Sequence, residues 1–464
     1  MLEVNEFLVL DYVRDHDPTT RTDIGRSLGL SAASVSRIVG RLRDDGLVKE
    51  EGTRRSLGGR PRTIVSFRRD AAAIIAIDLG GTRCQAALAD LAGTVLARDV
   101  RPTRAQGDAF STLVAAIHAM RQEAARLDVP VVALAIGVPG ILDPETGAAR
   151  DAPYVDWDEF PVVDRLALAV DIPFVVDNDV NLAALAHAWR GDGRLVDDFV
   201  TFSVGTGTGA AIVSGGRLLK GRHNAAGELG NLVVRRELLG RPITAGLGAF
   251  ESSASGPGLA ARATELIGAG RPSSLAGATI TPEAVLGAAA AGDETALRAV
   301  RELLGRPIIA GLGAFEASAS GPGIAARARE LIAAGRPSAF LDGEITPEAV
   351  LSAAAAGDET ALAAVRELLD DLAMAIVALI CVVDPDRVIL EGGIGRSLEP
   401  YLDELVARIE PSVPSMPDVV VSHLDRDATV IGAVAAALEL ARRRTAPAAV
   451  MGAFSLTGVQ SHAH

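Results

Sequence analysis

Residues 3–15 repeat apolar side chains at helical spacing, and a second helical stretch opens at Thr22 and closes at a Gly29-Leu30-Ser31 turn. Ser31 is placed to cap a third helix, about Ala32 to Arg43. That helix sets Val35, Ile38, Val39 and Leu42 on one face and leaves Ser34, Ser36, Arg37 and Arg41 on the other. Gly46 stops it. Leu47–Glu50 and Thr63–Phe67 then read as two short strands around a loop rich in Gly and Arg. A helix, a helix-turn-helix and a hairpin together predict a winged helix over residues 1–70.

From Ala71 the pattern changes. An apolar strand, Ile74–Leu79, opens into a glycine turn, an alternating strand runs to Asp90, and a third strand covers Thr94–Ala97. A long helix is expected over Phe110–Leu127, followed by strands at Val131–Ile136 and Phe174–Asp177 and a helix through Asn181–Trp189. Strands in hairpin order followed by strands alternating with helices predict an α/β domain on a mixed sheet.

Residues 236–300 and 301–365 align without a gap, identical at 52 of 65 positions, and Arg-Glu-Leu-Leu recurs at 236, 301 and 366. Two copies are too few for a solenoid, so the block reads as a recent tandem duplication, the alternative being an error of sequence assembly. Removing one copy from 464 residues leaves 399, enough for a winged helix and one two-lobed body. The small, polar tail after Thr445 is expected to be disordered.

Composition narrows the class. At 49% apolar and 3% aromatic, the chain suits tightly packed small-residue α/β layers and excludes a largely disordered protein. The formal charge of −14 is unevenly spread. Residues 1–70 hold 13 Lys/Arg against 11 Asp/Glu, a net +2 that leaves −16 for the rest, and Arg37–Arg69 alone is +6. A basic end joined to an acidic body points to a nucleic-acid partner for the former. Two distant cysteines, Cys84 and Cys381, both in apolar surroundings, provide neither a disulfide framework nor a Cys-x-x-Cys zinc site. The opening Met-Leu-Glu-Val-Asn-Glu has no basic or apolar leader, and the longest apolar run, Leu372–Val383, is shorter than the roughly 20 residues of a span. A cytoplasmic protein without membrane contact is expected, with that run as a core helix.

Three turns carry candidate phosphate chemistry, each closing a strand: Asp78-Leu-Gly80-Gly81-Thr82, Gly205-Thr206-Gly207 after Phe199–Ser203, and Glu391-Gly392-Gly393 after Val388-Ile389. Glycines let backbone N–H groups approach an anion, Thr82 can donate to it, and Asp78 can hold a hydrated Mg²⁺. Each alone is equally a plain turn. Their succession matches a nucleotide cleft between two lobes, and on these motifs the chain resembles the ROK family of sugar-responsive repressors and sugar kinases. The resemblance implies a two-lobed, actin-like ATPase (ribonuclease-H-like) sugar-kinase fold behind the winged helix-turn-helix. Lobe 1 would span 71–190 with a returning helix at about 427–443, and lobe 2 would span 191–426 and contain the duplication.

It also implies a sugar site. Asn178-Asp179 closes an apolar strand and starts a helix. Asp179 matches the base that deprotonates the sugar hydroxyl in the kinases, and Asn178 a sugar hydrogen-bonding residue. Gly137-Val-Pro-Gly140 resembles the loop lining that site, and Glu228 a sugar-binding glutamate. His223 in the same segment is a lone imidazole read as surface or core. The family pattern continues with a zinc-binding His and three Cys. Here Asn231 stands at the His, as a weaker sugar contact, and Ile243, Ala245 and Ala249 stand at the cysteines, with Ile308, Ala310 and Ala314 in the second copy. Without thiolate or imidazole no zinc is expected. ATP and Mg²⁺ would be cofactors only of an active kinase.

In the basic end, Ser34, Ser36, Arg37 and Arg41 can face the major groove, and Arg54, Arg55, Arg60 and Arg62 on the wing can neutralise phosphates or enter a minor groove. The reading is therefore a sugar-responsive transcriptional regulator, a repressor binding operator DNA as a homodimer or higher oligomer and released by a small sugar. The alternative is an ATP-dependent hexose kinase with an attached DNA-binding domain.

Overall fold

The structure is a computed structural model that describes residues 2–54, 62–204, 208–229, 345–424 and 427–445, with shorter stretches between 263 and 338. At the N-terminus lie α1 (Leu2–Asp15), β1 (Thr19–Thr20), α2 (Arg21–Leu28), α3 (Ala32–Asp44), β2 (Val48–Arg54) and β3 (Arg62–Phe67). The strands pair in the order β1-β3-β2. The stripe expected on α3 is buried: Val35, Ile38, Val39 and Leu42 join Val9, Val13, Ile24, Val65 and Phe67 in one core. Ser31 caps α3 through the Ser34 amide at 3.2 Å. The cap of α2 is Thr20 rather than Thr22. Its hydroxyl accepts from the Asp23 amide and donates to the Asp23 carboxylate at 2.7 Å, a reciprocal arrangement that Thr22, already inside the first turn, cannot make.

The body continues with β4 (Ala73–Leu79), β5 (Arg83–Asp90), β6 (Val95–Pro102), α4 (Ala109–Arg126), β7 (Val131–Val138), β8 (Ile141–Leu142), β9 (Ala149–Arg150), α5 (Val162–Ala169), β10 (Phe174–Asn178) and α6 (Asp179–Arg190). It then runs through β11 (Phe199–Val204), β12 (Thr208–Ser214), β13 (Arg217–Leu219), α7 (Gly321–Ala333), α8 (Pro347–Ala355), α9 (Glu359–Val383), β14 (Arg387–Glu391), α10 (Gly392–Ser397), α11 (Leu402–Ile409), β15 (Asp418–Val421) and α12 (Ala428–Thr445). Its two five-stranded sheets have the orders β10-β7-β4-β5-β6 and β13-β12-β11-β14-β15. Each is three parallel strands extended by an antiparallel hairpin, with the same connectivity in both. This doubled ribonuclease-H-like sheet is the expected architecture.

By contacts the chain forms two units. One gathers residues up to Val138, Val163–Leu182 and the helix from Thr429; the other gathers Pro139–Val162 and Ala183–Ala428. The run Leu372–Val383 lies within α9 and packs into the second unit's core through Leu372, Ile376, Leu379 and Ile380. Cys84 is buried, and burial pushes its thiol up to about 12. Cys381 is exposed, contrary to the apolar setting read from its neighbours, because it sits on the outer face of α9.

Where both copies of the duplicated block are described, they share one turn. In the first copy Asp293 accepts from the Ser273 hydroxyl at 2.9 Å and from the amides of Thr295 and Ala296. Asp358, 65 residues later, does the same with Ser338 at 2.9 Å and with Thr360 and Ala361. The cores differ. Ala263, Leu266, Val285 and Ala296 form a small cluster with Leu275, whereas their counterparts Ala328, Leu331, Val350 and Ala361 belong to the large core with Phe202 and Leu390. Covalent continuity decides this, since only the second copy runs into the 25-residue helix α9. Deleting residues 236–300 is therefore expected to leave a protein that melts cooperatively within a few degrees of the full chain. A calorimetric scan showing loss of the cooperative transition would contradict it.

Candidate functional site

In the first unit, the carboxyl ends of β4, β7 and β10 lie side by side. Asp78 is in register with Gly137, Gly137 with Asp177, and Val138 with Asn178. Parallel strands bring the turns beyond their carboxyl ends to one sheet edge, where α/β folds bind ligands. Four predicted residues, Asp78, Gly137, Asn178 and Asp179, meet there. Asn178 caps α6, its side-chain oxygen accepting from Val180 N at 2.9 Å and Asn181 N at 3.2 Å. Asp179 accepts from Val180 N at 2.9 Å. Burial pushes the Asp179 carboxyl up to about 6, against the lowering effect of that amide. Asp177, which the residue pattern did not single out, is buried and fixes this turn by accepting from Asn181 Nδ2 at 3.0 Å and Asn178 N at 2.8 Å.

Gly137 has no room for a side chain. A Cβ there would lie 2.8 Å from Thr429 Cγ2 and 3.1 Å from Leu182 Cδ1. The turn after β4 is held by the residue that follows β6: Thr103 Oγ1 donates to the Gly80 carbonyl at 2.6 Å and Thr103 N to the Thr82 carbonyl at 3.0 Å. Gln85 Nε2 reaches Asp78 at 3.4 Å. In the same turn Thr82 is exposed and Gly81 partly so.

In the second unit, parallel strands β11 and β14 pair Ser203 with Glu391, so the turns after them begin at the same sheet edge. Gly392 has φ +87°, and a Cβ on it would collide with the Val204 carbonyl. Gly393 is open. Gly205, Thr206 and Gly207 lie outside the described residues. The Glu228 segment is anchored by Gly227, whose carbonyl accepts from Ala210 N at 2.9 Å with φ +88°. Asn224 Nδ2 donates to the Leu142 carbonyl at 2.9 Å, while His223 is exposed. Asn231, Ile243, Ala245, Ala249, Ile308, Ala310 and Ala314 fall outside the described residues.

One cluster gave no clear sign in the residue pattern. His187 is fully buried, its Nδ1 3.4 Å from Asp192 and its Nε2 3.4 Å from Glu391. Glu391 also pairs with Arg396 at 2.8 Å, and Asp192 with His423 Nδ1 at 2.6 Å. Burial alone would depress the imidazole, but the two carboxylates outweigh it and hold His187 above its ordinary 6.5. Burial likewise opposes ionisation of Asp192 and Glu391, yet their hydrogen bonds, those from His187 foremost, draw both below the usual carboxylate range. The only signal in the sequence was a histidine inside the apolar stretch Leu182–Trp189, a pattern that core histidines share.

On the winged helix, Ser36, Arg37 and Arg41 are exposed and Ser34 is partly so. Ser34 Oγ is 3.0 Å from Ser31 Oγ, Ser36 accepts from Arg21 at 2.6 Å, and Arg41 pairs with Glu6 at 2.6 Å. Arg37 alone of the four has no hydrogen-bonding partner among the described residues. The backbones of Arg54 and Arg62 pair across β2 and β3; Arg55 and Arg60 lie outside the described residues.

A ROK family model matches residues 74–310 and 310–440, the two matches meeting inside the duplication, and a MarR family model matches residues 2–56. The chain is 30% identical over 235 residues to the xylose repressor of Caldicellulosiruptor bescii, covering 50% of this chain and 59% of that one. To the DNA-binding transcriptional dual regulator NagC of Escherichia coli K12 it is 29% identical over 308 residues, 66% and 75% of the two chains. The crystal structure of a ROK family transcriptional regulator, a homologue of the E. coli Mlc protein, superposes with a TM-score of 0.69 at 23% identity, covering 96% of this chain and 98% of that one. The chain thus spans about three-fifths of the xylose repressor's length.

Proposed function

From the premise that this chain belongs to the ROK family, we propose that it is a sugar-responsive DNA-binding repressor of carbohydrate-utilisation genes. The observation that carries this reading is a winged helix presenting Arg37, on a chain whose β4, β7 and β10 bring Asp78, Gly137, Asn178 and Asp179 to one edge. The names of the relatives, a xylose repressor and an N-acetylglucosamine repressor, support a small sugar as effector. Asn178, Asp179 and Gly137, with Glu228 and Asn231, are the residues proposed to hold it. Ser34, Ser36, Arg37 and Arg41, with wing residues Arg54, Arg55, Arg60 and Arg62, are proposed to meet DNA, as paired half-sites read by a homodimer. Among the described residues no helix is long and apolar enough to cross a membrane.

The test is a gel shift on the DNA upstream of the protein's own coding sequence, with D-xylose, D-glucose or N-acetyl-D-glucosamine. One sugar is expected to weaken binding about tenfold or more, within the ordinary range of allosteric coupling. The same sugar should raise the melting midpoint, because a ligand bound only by the folded state must do so. No retardation in any sugar condition would refute the reading.

A second reading, an ATP-dependent hexose kinase, is favoured by one observation: a carboxyl tuned to about 6 at Asp179 suits a general base. For that reading Asp78, Gly80, Gly81 and Thr82 are the residues proposed to meet a nucleotide phosphate and its Mg²⁺, and Gly205, Thr206, Gly207, Gly392 and Gly393 are proposed as further nucleotide-binding residues. The Gly392 backbone, crowded against Val204, leaves no room for a side chain. ADP release with hexoses, equal in the parent and in Asp179→Asn, would dismiss catalysis.

A further inference from the structure

The helix α12 touches both ends of the proposed signalling path within the first unit. Near its start, Thr429 Oγ1 donates to the Asp179 carbonyl at 3.4 Å, and Thr429 Cγ2 fills the space that a side chain on Gly137 would need. One turn on, Gly432 meets α6 so closely that a Cβ would overlap the Leu182 carbonyl. The first turns of α12 therefore cannot slide or rotate unless β7 and α6 move with them. Val430, Ala433, Val434, Ala437 and Leu440 bury its inner face along the way.

Roughly 20 Å further along, at about 1.5 Å per residue, Arg442 leaves the body. Its guanidinium pairs with Asp11 of α1 and lies 5.4 Å from the centroid of the Phe7 ring. Glu439 and Arg14 flank the pair at 3.7 Å and 2.8 Å. On the same α1, Glu6 holds Arg41 of α3 at 2.6 Å, and Val9 and Val13 share a core with Val35, Ile38 and Val39. A stiff helix thus runs from the Gly137-Asp179 turn to the helix that positions α3, and it ends on a contact between residues 431 positions apart in the chain.

We propose that α12 transmits occupancy of the sugar site to the DNA-reading helix, with Arg442 as its coupling residue. The inference rests on the reading of the protein as a sugar-responsive repressor, and a chain of contacts becomes a coupling path only when breaking one link uncouples the two sites. Asp11 sits where burial raises its carboxyl despite two arginines, so the pair is a partly desolvated contact rather than a loose surface one.

The test compares the full chain with Arg442→Gln, Asp11→Asn and Arg442→Lys. Operator affinity is measured with and without whichever of D-xylose, D-glucose and N-acetyl-D-glucosamine raises the melting midpoint. Arg442→Gln and Asp11→Asn are each expected to shrink the sugar-induced loss of DNA affinity from about tenfold or more to less than about threefold. DNA affinity without sugar and the sugar-induced melting shift should persist. Arg442→Lys, which keeps the charge, should recover most of the response. The double variant Arg442→Gln/Asp11→Asn should be no worse than either single one, as for two members of one contact. An undiminished sugar response in both single variants overturns the inference while leaving the repressor reading intact. Loss of DNA binding in both even without sugar also overturns it, since α12 would then be mere support. A parent chain that answers to no sugar fails the repressor reading, and this inference with it.

Discussion

Replacing Asp179 with Asn is expected to make the sugar-free protein more stable at pH 8 and to weaken its response to sugar. The Asp179 carboxyl rises from 3.8 to about 6 on folding, chiefly through burial. A group whose folded pKa is raised contributes its stability below the unfolded value and loses it as pH rises through the folded one. The parent therefore carries a penalty that develops between about pH 4 and pH 6 and stays constant above. At 1.36 kcal/mol per unit the penalty is about 3 kcal/mol at most. The residue keeps a partly exposed surface, and solvent reduces the figure. Asn has no such penalty, so its melting midpoint should exceed the parent's at pH 8 and converge on it near pH 4. In exchange, an amide replaces the carboxylate proposed to accept from a sugar hydroxyl. Losing about 1.5–3 kcal/mol from a charge-assisted hydrogen bond weakens binding roughly 10- to 100-fold. Melting curves from pH 4 to 8, with and without the effective sugar, read both effects. A variant less stable than the parent at pH 8, or one that keeps the full sugar shift, contradicts this account.

Replacing His187 with Leu should act in the opposite direction and over a different pH range. The His187 ring lies between Asp192 and Glu391, and where it is protonated, removing one partner of a buried ionic group typically costs about 3–5 kcal/mol because the other charges stay buried. With its pKa raised, His187 contributes stability that is fully present below about 6.5 and is lost as pH rises through the folded value. Asp192 and Glu391, both lowered, contribute stability that is present above their unfolded values, near 4, and is lost as pH falls below them. The parent should thus be most stable between these ranges. His187→Leu should melt well below it at pH 6, with the gap narrowing on the alkaline side. Equal midpoints at pH 6 would mean that the cluster contributes nothing. Since Glu391 leads directly into Gly392, the same variant tests whether the histidine holds that turn.

Much of the local structure could be read from residue order alone. The buried stripe of α3, its Ser31 cap and the strand ends at Asp78, Asn178 and Glu391 are short-range features, set by side-chain periodicity and by which residues satisfy backbone N–H groups. Errors stayed local too. Thr22 has the side chain of a cap, but the Thr20–Asp23 pair stands at the true start of α2. Cys381 has apolar neighbours in the chain, yet it points outward from α9.

The sequence by itself determined the class of the two parts, the strand-end glycines and carboxylates, the basic character of the winged-helix end and the duplication. Tertiary structure alone decided which copy of the duplicated block enters the main core, because 52 of 65 identical residues cannot discriminate and only the second copy continues into α9. It alone brought His187 to Glu391, 204 residues away, and Arg442 to Asp11, 431 residues away. Periodicity reports which face of an element is buried. It says nothing about what that face meets, and the charge state of a buried histidine or the partner of a C-terminal arginine depends entirely on that meeting.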